Sequence, residues 1–305
     1  MPTILIFFSF LLWLVCFGGT TVGTISSKIT TLAPITFTNL VRKEVDVIIL
    51  AGQSNALGFP NETNGFGTTG TSLPVELQSN QVHRSWNTTS TSPNNDWIDQ
   101  PLHPQSPEYW GVEITGLNSI YTNYHRLLVL VKVAKGSTGL YDTNRWQKGG
   151  TCYVQLTNSM LSAKARLQAE GYTVNWRQLW WIQGENDATA ESNAVAYATN
   201  FNRFWIDLCA DTGLATNTSI VLAPLADHYG NSFAAAVRSN QTVLGAQNNI
   251  DLVVTDDLPF YSGVHYSAES LMTLGGRFAA KYMEHFGATP YPSALTNATI
   301  VEKME

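Results

Sequence analysis

The chain has 305 residues, is 44% hydrophobic and 11% aromatic but only 13% charged, and carries a net charge of -6. That apolar fraction excludes wholesale disorder. A mildly acidic chain without a Lys/Arg block offers nothing to a phosphate backbone, so nucleic acid is excluded as a partner.

Residues Ile4 to Phe17 form an apolar run followed by Gly18, Gly19, Thr20, Thr21 and Gly23. As a helix the run covers roughly 21 Å, short of a ~30 Å hydrocarbon core. It reads as a secretory signal over 1–23, although Met1-Pro2-Thr3 has no Lys or Arg. The expectation is a secreted protein, with an uncleaved membrane anchor as the alternative. Secretion gives meaning to the sequons at Asn61, Asn87, Asn217, Asn240 and Asn297, which permit glycosylation in a chain already rich in Asn, Ser and Thr. Residues 24–44 are Thr- and Ser-rich and read as a leading arm.

A single domain over 45–288 is expected next, with 289–305 as a tail. Val45 to Ala51 is a short β-branched run ending at Gly52, suited to a buried strand. Residues 60–108, rich in Pro, Gly, Asn, Ser and Thr, read as a long irregular insertion. Trp86, Trp97, Tyr109 and Trp110, in or beside it, are candidates for lining a ligand site or packing the loop. Then strand and helix alternate: helix Gly111–Leu127, strand Leu128–Val133, helix Thr151–Glu170, strand Arg177–Ile182, helix Ala188–Ala210. Strand Ser219–Leu225, helix Ala234–Asn248, strand Asp251–Thr255 and helix Ser267–Phe286 complete the pattern. Such alternation implies an α/β fold with a parallel sheet covered on both faces.

Cys152 opens one of these helices and Cys209 lies near the end of the next, which places them on opposite rims of a parallel sheet. A disulfide needs Cα atoms within about 7 Å, so two free, buried cysteines are expected. His83, His103 and His125 lack metal-ligand spacing, and no metal is expected.

Ligands in such sheets bind beyond the carboxyl ends of the strands. The residues found there are Gly52-Gln53-Ser54-Asn55, Lys135-Gly136-Ser137-Thr138, Gln183-Gly184-Glu185-Asn186-Asp187, Asp227-His228, Asp256-Asp257 and Ser262-Gly263-Val264-His265. Ser54 follows a buried strand through a glycine turn, and His265 supplies a base to activate its hydroxyl. The Ser54 N–H, the Gly136 N–H and the Gln183 amide are the available oxyanion donors. Gln53, Glu185 and His228 are substrate-binding candidates at the same rim.

Ile49-Leu50-Ala51-Gly52-Gln53-Ser54-Asn55-Ala56 resembles the first block of the SGNH hydrolases, in the branch of acetylxylan esterases and sialate O-acetylesterases. Trp110-Gly111-Val112-Glu113 is similar to the branch's Gly-Pro-Glu segment, and Lys132-Val133-Ala134-Lys135-Gly136-Ser137-Thr138 to its Gly-Gly-Thr block. Trp181-Ile182-Gln183-Gly184-Glu185-Asn186-Asp187 is similar to Trp-x-Gln-Gly-Glu-x-Asp, and Val264 to Ala279 to the last block. The Gly-x-Ser-x-Gly of other lipases is not matched, because Ala56 follows Asn55.

The resemblance implies a flavodoxin-like three-layer α/β/α sandwich with a mostly parallel sheet. It also implies hydrolysis of O-acetyl esters of a carbohydrate without metal or cofactor. Ser54 would be the nucleophile and His265 the base, with Gly136 and Gln183 completing the oxyanion hole. One departure stands out. The family carries Asp-x-x-His, and here that position is Ser262. Loss of a triad acid costs roughly 10⁴-fold in rate. The expected replacement is Asp257; Asp256, Glu185 or a backbone carbonyl would serve the same end. The alternative outcome is a catalytically silent sugar-binding protein. Ser137 also stands where the family has a second glycine, which narrows backbone freedom beside the oxyanion site.

Overall fold

The computed structural model describes residues 43–58, 84–88, 97–98, 111–124 and 127–287. The proposed signal at 1–23, most of the leading arm, the 289–305 tail, Tyr109, Trp110 and the sequons at Asn61 and Asn297 lie outside them. No helix among the described residues is long and apolar enough to cross a membrane.

The strands are β1 (Lys43–Gly52), β2 (Arg84–Thr88), β3 (Trp97–Ile98), β4 (Leu128–Ala134), β5 (Tyr172–Ile182), β6 (Ser219–Ala223) and β7 (Ile250–Leu252). They form one seven-stranded sheet in the order β3-β2-β4-β1-β5-β6-β7. Only the β2–β3 pair is antiparallel. A short hairpin, β8 (Phe260–Ser262) with β9 (His265–Tyr266), stands apart from it. The helices are α1 (Ser54–Leu57), α2 (Glu113–Tyr124), α3 (Thr151–Ala169), α4 (Glu191–Val195), α5 (Tyr197–Thr212), α6 (Ala234–Leu244) and α7 (Ala268–Phe286).

Two apolar cores follow from the period-two alternation of side chains along a strand. Val45, Val47, Ile49 and Ala51 of β1 meet α3, α4, α5 and α6 on one face. Ile48 and Leu50 meet α1, α2 and α7 on the other. The consecutive Trp180 and Trp181 show the alternation most plainly. Trp180 stacks on Phe278 of α7, with ring centroids 5.2 Å apart. Trp181 meets Trp146 edge-on at 5.1 Å in the opposite layer. Both indoles are fully buried and both N–H groups are satisfied, by Gln178 Oε1 at 3.0 Å and Tyr197 Oη at 3.1 Å. Truncating either ring would cost about 3–5 kcal/mol.

The three-layer architecture is as expected; several elements differ. The 60–108 insertion is not wholly irregular. It contributes β2, parallel to β4, and β3 beyond it. Short, polar β2 has the character of an outer strand, and it occupies hydrogen-bonding groups that β4 would otherwise expose. The helix expected over 188–210 is interrupted: Ala190 is extended (φ -145°, ψ 142°), separating a 3₁₀ turn at Asp187–Thr189 from α4 and α5. The strand expected over 219–225 stops at Ala223, because Pro224 has no N–H for the ladder. Cys152 and Cys209 are free and buried.

Candidate active site

The nucleophile candidate stands on a turn that only glycine allows. At the end of β1 Gly52 has φ 144°, and a Cβ there would lie 2.0 Å from the Ile182 carbonyl oxygen of β5. That close approach lets Gln53 N–H donate to the same carbonyl at 3.0 Å while Ala56 and Leu57 N–H close back onto Gln53 O. Ser54 is thereby set half-buried at the carboxyl rim of the sheet, at the first position of α1.

The far end of α1 is held from β4. Lys132 Nζ donates to Leu57 O at 3.0 Å and to Glu113 Oε1 at 2.6 Å, and both charged side chains are almost fully buried. Glu113 Oε1 also accepts from Gly111 N–H at 3.1 Å. Lys132 and Glu113 each fall in a sequence block, but their pairing is not foreseen there; its signal is a cation inside a Val/Leu strand with a Glu on the preceding helix.

Beyond β4, Lys135 N–H donates to Gly52 O at 3.1 Å. This brings Gly136 beside the nucleophile, where a Cβ would stand 3.7 Å from Ser54 Cβ. Neither Ser54 N–H nor Gly136 N–H donates to a backbone carbonyl among the described residues. Ser137 adopts φ 56°, the left-handed conformation a glycine would take without strain.

The loop after β5 is a buried polar hub. Gln183 Nε2 faces Asp187 Oδ2 at 2.6 Å, Thr138 O at 3.1 Å and Gln53 Oε1 at 3.2 Å. An amide nitrogen has two hydrogens, so three inward acceptors use its donor capacity fully. Gln183 as found here ties the strand ends together and offers no spare donor to an oxyanion. Gln53, a substrate-binding candidate from the sequence, is itself buried, its Oε1 also accepting from Asn186 N–H at 3.2 Å. Asp187 further accepts from Leu140 N–H at 3.0 Å and Tyr141 N–H at 3.2 Å. Burial pushes its carboxyl up to about 6 and that of the wholly buried Glu185 up to about 7. Glu185 Oε1 accepts from Asn55 Nδ2 at 2.5 Å, and Oε2 has no partner among the described residues. Glu185, too, is buried, and it is bonded to Asn55.

His265 is carried by the β8–β9 hairpin, which turns through Gly263 (φ 44°) and Val264. An aromatic run ending in glycine is the signal that would have predicted it. Asn55, adjacent to Ser54, donates to Val264 O at 2.9 Å and accepts from Tyr266 N–H at 3.0 Å. The sequence neighbour of the candidate nucleophile thus holds the peptides on both sides of the candidate base. Shielding by its neighbours lowers the His265 pKa below the ordinary value, which favours the neutral, proton-accepting form. No hydrogen bond joins the ring to Ser54 or to a carboxylate among the described residues; such bonds are often long before substrate binds.

The expected replacement acid lies elsewhere in its contacts. Asp257 is engaged by Arg277 through two charge-assisted bonds, Nη1–Oδ1 at 2.7 Å and Nη2–Oδ2 at 2.5 Å, and is not joined to His265. The guanidinium holds the Asp257 carboxyl below its usual range. Asp256 pairs with Arg238 at 2.6 Å and receives Asp227 N–H at 2.9 Å. Both carboxylates follow the last strand as anticipated, but each has an arginine of its own. Ser262 is the direct cross-strand partner of His265 in the hairpin. His228 is exposed at the same rim, with Nδ1 3.3 Å from Asp227 Oδ1 and its ring 4.7 Å from that of Phe260. No group of three or more His, Cys, Asp or Glu suited to a metal ion occurs among the described residues.

Residues 44–284 match the model of the family described as carbohydrate esterase, sialic acid-specific acetylesterase. Among solved structures, a protein from Arabidopsis thaliana is similar at 22% identity and TM-score 0.62, covering 79% of this chain and 98% of that one. NanS is similar at 15% identity and TM-score 0.58, covering 81% and 99%. A carbohydrate acetylesterase from Xanthomonas citri is similar at 18% identity and TM-score 0.56, covering 79% of this chain and 56% of that one. These likenesses show the fold. Sequence comparison with curated proteins finds no match.

Proposed function

Because the chain belongs to the sialic acid-specific acetylesterase family of carbohydrate esterases, we propose that it removes O-acetyl groups from a carbohydrate through an acyl-enzyme on Ser54. The observation that carries the reading is the convergence of three chain segments on one serine. Gly136 stands beside Ser54, and Asn55 binds the peptides flanking His265.

The chemistry follows from that arrangement. His265, neutral near pH 7, takes the Ser54 proton as Oγ attacks the acetyl carbonyl. The Ser54 and Gly136 N–H groups, uncommitted to backbone carbonyls, stabilise the oxyanion. The imidazolium gives its proton to the departing sugar oxygen, which leaves as the free hydroxyl; water, deprotonated by His265, then attacks the acetyl-enzyme, and the proton returns to Ser54 Oγ as acetate is released. For Gln183 to take part, it would first have to surrender one of its inward bonds. In this reading Ser54 and His265 work as a dyad, since neither Asp256 nor Asp257 reaches the imidazole. Secretion by way of the 1–23 segment remains part of the proposal.

Hydrolysis of p-nitrophenyl acetate, lost in Ser54→Ala and in His265→Asn, is the expected result. One observation favours a second reading, a sugar-binding protein without turnover: no carboxylate bonds the His265 ring among the described residues. Equal background hydrolysis by wild type and Ser54→Ala would establish that reading instead.

A further inference from the structure

We propose that Asn55 is a positioning residue that places His265 for proton transfer at Ser54, with Glu185 as the anchor that orients its amide. This rests on the esterase reading of Ser54 and His265.

A carboxamide has two N–H donors and one carbonyl acceptor. The Asn55 donors go to Glu185 Oε1 and Val264 O, and its acceptor takes Tyr266 N–H. Two of the three bonds therefore fall on the peptide groups immediately before and after His265. The histidine cannot shift along or away from the rim without breaking one of them. Because Asn55 follows Ser54 directly within α1, those bonds relate base to nucleophile through a single residue.

The hairpin needs such an attachment. A two-stranded ribbon is marginal by itself, and β8–β9 is stranded apart from the main sheet. Phe260 packs on Tyr266 with centroids 5.0 Å apart, which steadies the base of the hairpin but not the turn. In triads the acid orients the imidazole. No carboxylate among the described residues does so here, so fixing the backbone around His265 assumes more of that work.

Glu185 decides which way round the Asn55 amide sits. Reversing the amide would set its N–H groups against Tyr266 N–H and its oxygen against Val264 O. Glu185 Oε1, an acceptor, opposes that reversal by facing Nδ2. This gives the buried Oε1 of Glu185 a role, while Oε2 has no hydrogen-bond partner among the described residues.

The test uses the full-length protein, p-nitrophenyl acetate kinetics and an NMR titration of His265, identified by comparison with His265→Asn. Asn55→Ala is expected to lower kcat about 100-fold, the scale of a 1 Å misplacement, with KM changed less than about twofold. The His265 midpoint should rise toward its ordinary ~6.5 as the hairpin becomes solvated. Glu185→Ala should move both readouts the same way, and Glu185→Gln, which keeps the acceptor, should recover at least about tenfold of the lost kcat. A folded Asn55→Ala protein with wild-type kcat and His265 midpoint overturns the proposal. If Asn55→Ala does not fold, the Glu185 variants decide it, and wild-type values in Glu185→Ala overturn it. Ser54→Ala is measured alongside. Turnover surviving in Ser54→Ala would sink the esterase reading, and the His265 midpoint would then judge the positioning claim alone.

Discussion

Ser262→Asp should convert the dyad into a working triad. Ser262 and His265 are direct partners across β8–β9, and such pairs have Cβ atoms about 4.5–5.5 Å apart. An aspartate there would place its carboxylate roughly 4 Å from the imidazolium, worth about 1 kcal/mol in water and about 4 kcal/mol at an effective dielectric near 20. Both residues are exposed, so a value toward the lower part of that range, about 2 kcal/mol, is the appropriate one. That corresponds to roughly a 30-fold rise in kcat/KM. The same carboxylate stabilises the protonated ring and should raise the His265 pKa, moving the acidic limb of the rate profile to higher pH. The assay is p-nitrophenyl acetate hydrolysis from pH 5 to 9. Ser262→Asn is the control, supplying an acceptor without the charge and gaining no more than a few-fold. The reasoning is refuted if Ser262→Asp leaves rate and profile flat while Asp257→Asn abolishes activity, since the acid would then be Asp257 despite its bonds to Arg277.

Ser137→Gly should stabilise the fold by about 0.5–1 kcal/mol, because relief of left-handed strain exceeds the added entropy of an unfolded glycine; thermal melting reads it, and a lower Tm contradicts it. Stability should also depend on pH through Glu185. Its carboxyl ionises near 4.5 when unfolded but near 7 when folded, so stability falls as pH rises across that window and levels off above it, by about 3 kcal/mol at most. Urea unfolding at pH 5 and 8 should show a smaller difference in Glu185→Gln than in wild type; an identical difference would refute it. Lys132→Met leaves Glu113 buried without its cation and should cost about 3–5 kcal/mol, whereas replacing both partners by apolar residues should restore much of the loss. A Lys132→Met protein as stable as wild type in urea would show that the pair does not hold α1.

The parallel sheet and the two-sided core were legible because buried strands such as Val45–Ala51 and amphipathic helices such as Thr151–Ala169 advertise themselves by local periodicity. The order of polar segments at strand ends likewise pointed to one rim, since every parallel strand delivers its carboxyl end to the same side. Strand β2 was hidden in a polar insertion, because a short strand next to the sheet's edge is defined by the partners it joins rather than by its own apolar pattern. The division of the 188–210 helix was equally invisible, as three alanines at 188, 190 and 194 suit a continuous helix and only packing separates them.

From residue order alone came the architecture, the candidate Ser54 and His265, and the oddity of a serine at 262. Which polar groups are already occupied was decided by the folded chain. Arg277 takes Asp257, Arg238 takes Asp256, Asp187 takes the Gln183 amide, and Asn55 reaches across to both sides of His265. The reason is physical: a donor or acceptor bonds to whatever lies within about 3 Å of it, and for partners 18 to 211 positions apart, such as Arg238–Asp256 and Asn55–Tyr266, that neighbour is set by the packing of separate segments.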